Sequence, residues 1–286
     1  MTQRPPLKAI EAALGFLPDH AEQMLTELWL PLAESLAGRS HPWIQGFVGL
    51  QGTGKSTLCR VLEVLLTTMG IGVARLSLDD LYLPYKARQR LQQLDPRLRW
   101  RGVPGTHEVA LGRSLMGQFR ARAVPLFLPR FDKSCHGGAG DRVEAELCPG
   151  AEVLLFEGWC VGMMPIPDLA DYLPLPPIMT AEDCTFALDM NRALGAYVPL
   201  WQELDALTVL APQDLSWSKQ WRREAEAPGG MGLGELDAFV DYFWRAVPPQ
   251  VHFPRLWQGR QGSIPIDWWV ELARNRSPIQ ITKFLI

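Results

Sequence analysis

The sequence predicts an α/β fold: a mostly parallel sheet with helices on both faces and long loops and a lid over one end. Two observations predict it. From Trp43 onward, short apolar runs alternate with stretches of helical periodicity, and one strand-to-helix junction reads GLQGTGKS. Parallel strands need crossover connections, and those lay helices on both faces of the sheet.

The elements follow in order. Residues 19–37 carry apolar positions at helical spacing broken by Pro31, and read as a leading helix or helix pair within a helical segment of about residues 1–40. IQGFVGL is the first strand, a helix runs from Lys55 to about Met69, and GVARLSL is the second strand. A helix around 107–120, the strand AEVLLFEG, a helix near 191–200 and the strand DALTVLAP complete the alternation. The connections at 94–106, 129–150 and 161–184 are long and rich in Gly and Pro, as functional loops are. No repeat, low-complexity tract or linker divides the chain. One domain is expected over residues 1–286, with a core at about 43–245 and a final segment at about 247–286 that matches no pattern.

Composition sets the class. Hydrophobic residues at 47% and charged residues at 21% fit an ordered globular protein and exclude disorder. A net charge of −3 with no block of Lys or Arg gives no field for nucleic acid or a membrane surface, so a small anion must be held by local groups. The start lacks the apolar core of a signal peptide, and no apolar run approaches the roughly 18 residues of a span. The five cysteines are odd in number and never form a CxxC pair, which reads as reduced thiols in a cytoplasmic protein. Eleven tryptophans, two in tandem at Trp268 and Trp269, are read as packing anchors. Oligomeric state is not legible.

Gly49 to Ser56 satisfy GxxxxGK[ST] between an apolar strand and a helix, the context a phosphate-binding loop requires, and this makes the fold class that of the P-loop NTPases. Gly49, Gly52 and Gly54 free the backbone N–H groups to turn toward phosphate oxygens, and the helix N-terminus adds its positive end. Thr53 completes the loop. Lys55 meets the β and γ phosphates of ATP, Ser56 holds Mg²⁺, and Thr57 supports the turn. Glu157, closing VLLFEG, stands where a second Mg²⁺ anchor belongs.

ARLSLDDLYLPY places Asp79 at the end of the second strand, and ligands of open parallel sheets bind at the carboxyl ends of strands. Asp79 is expected to face the γ-phosphate and accept the proton of an attacking hydroxyl. Asp80 points elsewhere, toward backbone or a metal-bound water. Capping the next turn is the alternative for both acids.

SLDDLY, with Tyr82 at its end, is similar to the S-x-D-x-F/Y segment of the uridine kinase, phosphoribulokinase and pantothenate kinase relatives among P-loop kinases, whose first Asp is the catalytic base. A closer resemblance runs through RGVPGTHE, LPRFDKSCHGGAGDR, LFEGWCVGMMP, MNRALGAYVPLW and QWRREAEAPGGMG, which look like the D-glycerate 3-kinase family. It covers about residues 43–245 and implies ATP-dependent phosphorylation of a small hydroxy acid. By position it places Arg130, Phe131, Asp132, Lys133 and His136 around the acceptor, with Arg101, His107 and Glu108 in a second acceptor-side loop. Arg222 falls on a lid of about residues 222–233, rich in Gly229, Gly230, Gly232 and Gly234. An anionic acceptor needs Arg or Lys for its carboxylate and an acceptor such as Asp132 for its hydroxyls. The chain departs from the family at Glu108, where Asp is usual, at YFWRAVPPQ, and after about Val247. Those departures bear on the acceptor. A kinase for another small alcohol and a nucleotide-binding switch stay open beside it.

Overall fold

The computed structural model describes residues 5–225, 232–259 and 264–285. Helices α1 (Pro5–Leu14), α2 (Ala21–Met24) and α3 (Leu30–Ala37) open the chain, the last two joined by a π-helical stretch at Leu25–Trp29. Pro31 therefore does not interrupt the leading helix. It sits in the first turn of α3, where its missing N–H is least costly, and the widened turn before it absorbs the ring. Next come β1 (Trp43–Gly49), α4 (Lys55–Thr68) and β2 (Val73–Ser77), then a 3₁₀ turn at Leu78–Leu81, α5 (Tyr85–Leu94) and α6 (Val109–Arg120). β3 (Leu126–Asp132) and β4 (Asp141–Cys148) form an antiparallel ribbon, followed by β5 (Val153–Gly158), α7 (Ala181–Leu194), α8 (Val198–Trp201) and β6 (Ala206–Pro212). The chain closes with α9 (Trp217–Glu224), α10 (Leu233–Ala246), α11 (Pro249–Trp257), β7 (Ile266–Leu272) and β8 (Pro278–Lys283).

Three expectations are corrected. The segment 129–150 is not an open loop but most of the β3–β4 ribbon, whose glycines occupy its turn. The helix expected near 191–200 begins ten residues earlier, where Thr180 and Asp183 form a reciprocal cap, and it ends at Gly195. The unassigned segment after 247 supplies α11 and two strands of the main sheet.

That sheet has the order β2-β5-β1-β6-β7-β8, parallel throughout except for the antiparallel edge strand β8. Alternate residues feed opposite apolar layers: Leu154 and Phe156 of β5 face one, Val153 and Leu155 the other. α1, α3 and α4 cover the second layer, and α6, α7, α10 and α11 the first. Burial on both faces explains why the strands read as continuous apolar runs.

Register positions the functional edge. Phe47, Glu157 and Ser77 align across β1, β5 and β2. Gly49 and Asp79 each lie two residues beyond that row, so the glycine loop and the acidic turn emerge from the same edge of the sheet. Among the described residues, no helix is long and apolar enough to cross a membrane.

Candidate active site

The glycine loop is shaped by backbone. Gly52 (φ +79°) and Gly54 (φ +89°) are left-handed, a region that side chains with a Cβ enter at a cost of about 1–2 kcal/mol. A Cβ on Gly52 would lie 2.4 Å from the Cβ of Trp221, so close packing also demands glycine there; on Gly49 it would meet Thr53 Oγ1 at 2.7 Å. Gly54 caps α4 without a side-chain bond, leaving the first N–H groups of a fourteen-residue helix directed at the loop. Lys55 folds back so that its Nζ donates to the Gly49 and Leu50 carbonyls at 2.8 and 3.0 Å. Burial lowers its pKa, against the opposing pull of Glu157 and Asp79. The Ser56 hydroxyl donates to Glu157 Oε1 at 2.7 Å, while Thr57 is half-buried on the same turn.

These groups fit a magnesium nucleotide. The buried Lys55 ammonium and the uncapped N–H groups suit phosphate oxygens. The single hydroxyl–carboxylate pair suits Mg²⁺, which is held by one or two protein oxygens plus phosphates and water.

The two acids divide their work. β2 stops at Ser77, so Asp79 lies on the 3₁₀ turn rather than at the strand end, because Ser77 and Asp80 form a reciprocal cap that turns the chain. Asp80 accepts from the Ser77 N–H at 3.0 Å, from the Phe131 N–H at 3.2 Å and from Arg130 at 3.2 Å. It therefore docks the β3–β4 ribbon onto the turn. Asp79 is held by side chains instead. Its Oδ1 takes the Tyr82 hydroxyl at 2.6 Å, and its Oδ2 lies 2.7 Å from Lys133 Nζ. Burial alone would raise its pKa, but the Lys133 charge, with hydrogen bonds from Lys133 and Tyr82 and a smaller effect of His107, holds it down to about 2.

Around Asp79 stands an aromatic wall. Tyr82 stacks on His107 at 4.8 Å and meets Phe131 edge-on at 4.9 Å. The Tyr197 oxygen accepts the Gly105 N–H at 2.9 Å and lies 2.7 Å from His107 Nδ1. His107 Nε2 is buried without a hydrogen-bond partner. Burial brings the His107 pKa down to about 4, so the ring is neutral near pH 7.

Comparison with known proteins shows what the chain is similar to. The chain is 31% identical over 257 residues to the chloroplastic D-glycerate 3-kinase of Arabidopsis thaliana, an alignment covering 83% of the chain and 54% of that protein. It spans about half the length of that relative. It is also 30% identical over 254 residues to the uncharacterized kinase mug58 of Schizosaccharomyces pombe, covering 84% of the chain and 91% of the relative. The chain belongs to the D-glycerate 3-kinase family. Its fold matches the solved D-glycerate 3-kinase of Cryptococcus neoformans with a TM-score of 0.71 at 22% identity, over 99% of the chain and 100% of that structure. The YGR205w protein matches with a TM-score of 0.70 at 23% identity, over 94% and 98%. No family model matches the chain.

Within this member of the D-glycerate 3-kinase family, Asp79, Tyr82, His107, Phe131 and Lys133 come together as neighbours. Arg101 donates to the Gly138 and Ala139 carbonyls and crosses the Tyr82 and Phe131 rings, so it braces the ribbon turn. Asp132, expected to receive substrate hydroxyls, is engaged by its own turn: its Oδ1 accepts both the N–H and the hydroxyl of Ser134. His136 (φ +51°) stacks on Tyr85 at 4.0 Å and lies 3.1 Å from Asp141 Oδ2, which anchors the turn. Glu108 pairs with Arg142, and Arg130 pairs with Glu146 as well as Asp80. Arg222 lies on α9 with its guanidinium 5.6 Å from the Phe239 ring centre, next to the Trp221 that packs on Gly52. The lid glycines Gly229 and Gly230 lie outside the described residues.

Sequence reasoning missed Arg142, Tyr197 and Arg276. Arg142 bridges Glu108 and the Tyr82 carbonyl, and Arg276 donates to the Gly52 carbonyl. Their partners stand 34 to 224 residues away, beyond any local pattern.

Proposed function

We propose that the chain is an ATP-dependent kinase that phosphorylates D-glycerate to 3-phosphoglycerate. The observation that carries the reading is the Asp79 carboxylate, held by the Tyr82 and Lys133 side chains, beside the Lys55 and Ser56–Glu157 groups on the same sheet edge. Family membership and the relatives' names supply the acceptor. The whole chain reads as one kinase domain, because β7 and β8 extend the sheet that carries the site.

Bound Mg·ATP supplies the phosphoryl group and the cation that offsets its charge. Ser56 and Glu157 hold the metal, directly or through water. Lys55 and the bare N–H groups of α4 neutralise phosphate charge, and Arg222 approaches it from α9. Asp79 receives the acceptor's hydroxyl proton at Oδ2. Tyr82 is buried and fixes Oδ1, whereas Lys133 is 63% exposed on a flexible stem, so Lys133 is the partner that yields to the hydroxyl. Once displaced, its ammonium pairs with the acceptor's carboxylate, and the Asp79 pKa rises as that charge withdraws. The unpartnered His107 Nε2 offers one further polar contact for the hydroxy acid.

An acceptor panel with Mg·ATP tests the reading, following ADP release and identifying the product by ³¹P NMR. D-glycerate is expected to turn over well ahead of L-glycerate, pantothenate and uridine. Turnover of another alcohol with none of D-glycerate would overturn the substrate, and no turnover with any acceptor would leave a nucleotide-binding switch.

A further inference from the structure

We propose that Arg276, in the turn between β7 and β8, is a positioning residue that orients the phosphate loop and ties it to the helix bearing Arg222. The proposal rests on reading GLQGTGKS as the nucleotide site. The turn lies in the C-terminal segment that sequence patterns left without a role, yet its side chains reach the phosphate loop and α9.

The geometry is specific. Arg276 Nε donates to the Gly52 carbonyl at 2.8 Å, while its NH2 group donates to Glu224 Oε2 on α9 at 2.8 Å. Its guanidinium lies 5.3 Å from the centre of the fully buried Trp221 ring, and Trp221 Nε1 donates back to the Arg274 carbonyl at 2.7 Å. Arg274 Nε donates to Gln220 Oε1 at 2.8 Å. One turn thus grips the loop with one hand of a guanidinium and α9 with the other.

Peptide planarity gives the grip a consequence. In a trans peptide the C=O and the following N–H point in opposite directions, so a donor holding the Gly52 oxygen from outside turns the Thr53 N–H inward. That N–H faces the Leu50 carbonyl at 3.3 Å, a long bond leaving the donor open to a stronger acceptor such as a phosphate oxygen. Arg276 also holds a left-handed backbone, φ +68°, which disfavours any residue but Gly, Asn or Asp by about 1–2 kcal/mol. Glycine would relieve that cost; the arginine side chain offsets it with its bonds to the Gly52 carbonyl and to Glu224.

The test uses the full chain with Arg276→Ala, Arg276→Met and Arg276→Lys. ADP affinity is measured by calorimetry with Mg²⁺, thermal unfolding by circular dichroism, and amide exchange across residues 50–56 without nucleotide. ADP binding is expected to weaken about tenfold in both Ala and Met variants, the scale of one hydrogen bond to a charged donor. Lys, which reaches one partner at a time, is expected to fall between them and the parent. Exchange of the loop amides should quicken, with KM for the acid acceptor unchanged. The proposal is overturned if ADP affinity and loop exchange stay at parent values, if Met retains the affinity that Ala loses, or if only the unfolding midpoint moves. A parent chain that binds no ADP would remove the nucleotide-site reading instead, and the exchange measurement would still decide whether Arg276 orders the loop.

Discussion

The nucleotide side and the acceptor side of this site are built from different materials. The first is backbone: two left-handed glycines, the uncapped end of α4 and a lysine folded onto two carbonyls. The second is side chain, drawn from the 3₁₀ turn, the 101–108 loop and a ribbon that stands apart from the main sheet. Backbone sites tolerate little change in shape, because a misplaced N–H cannot choose another rotamer. Side-chain sites can change one group at a time, which lets a family keep its phosphate chemistry while altering its acceptor.

This contrast can be broken or sharpened by experiment. The largest effect belongs to the backbone side. Gly52→Ala adds a Cβ at a left-handed position 2.4 Å from Trp221 Cβ, and ADP affinity is expected to fall by at least about 100-fold while the fold survives, since the strain is local. Calorimetry checks it; parent-like affinity would mean that the loop yields more easily than its packing indicates.

Next is His107, whose pKa is about 4 when folded against about 6.5 for an unperturbed imidazole. Between those values the unfolded chain binds the proton and the folded chain does not, so stability falls as pH drops through this window and levels off below it. The loss is on the order of 3 kcal/mol. Urea unfolding from pH 7 to pH 4 should show this slope in the parent and lose that part of it in His107→Gln.

Tyr82→Phe removes the 2.6 Å bond to Asp79 Oδ1 and keeps the stacking on His107. A hydrogen bond to a charged group is worth about 1.5–3 kcal/mol, so kcat should drop about 10- to 100-fold with ADP affinity retained. Loss of ADP affinity as well would show that the two sides are not separable.

Lys133→Met is expected to change kcat least near pH 7, while raising KM for the hydroxy acid, and to have a diagnostic effect in acid. Without the lysine, burial is left to raise the Asp79 pKa from about 2, so the acid limb of kcat/KM moves to higher pH. An unmoved limb would separate Lys133 from the base.

Legibility in the sequence followed the same division. GLQGTGKS and the apolar strands around it announce themselves locally, because strand, loop and helix are contiguous and each residue has one backbone task. Asp79 was legible as a strand-end acid, although its placement on a 3₁₀ turn depends on the Ser77–Asp80 cap. The ribbon was not legible: its exposed residues mix Phe127, Val143 and Leu147 with Glu144 and Glu146, and its turn is dense in glycine, so 129–150 reads as loop. Asp132 and His136 are bound to the ribbon's own turn, contacts that position in the sequence does not reveal. β7 and β8 were invisible because DWWVEL acquires meaning only when laid against β6, and PIQITK only against β7.

The account turns on Asp79 as the group that takes the acceptor's proton, and Asp79→Asn measures that most directly, because it keeps the shape and removes the charge. With Mg·ATP and D-glycerate, kcat is predicted to fall by about 10² to 10⁴ while ADP affinity and the unfolding midpoint stay at parent values. Turnover equal to that of the parent would contradict it.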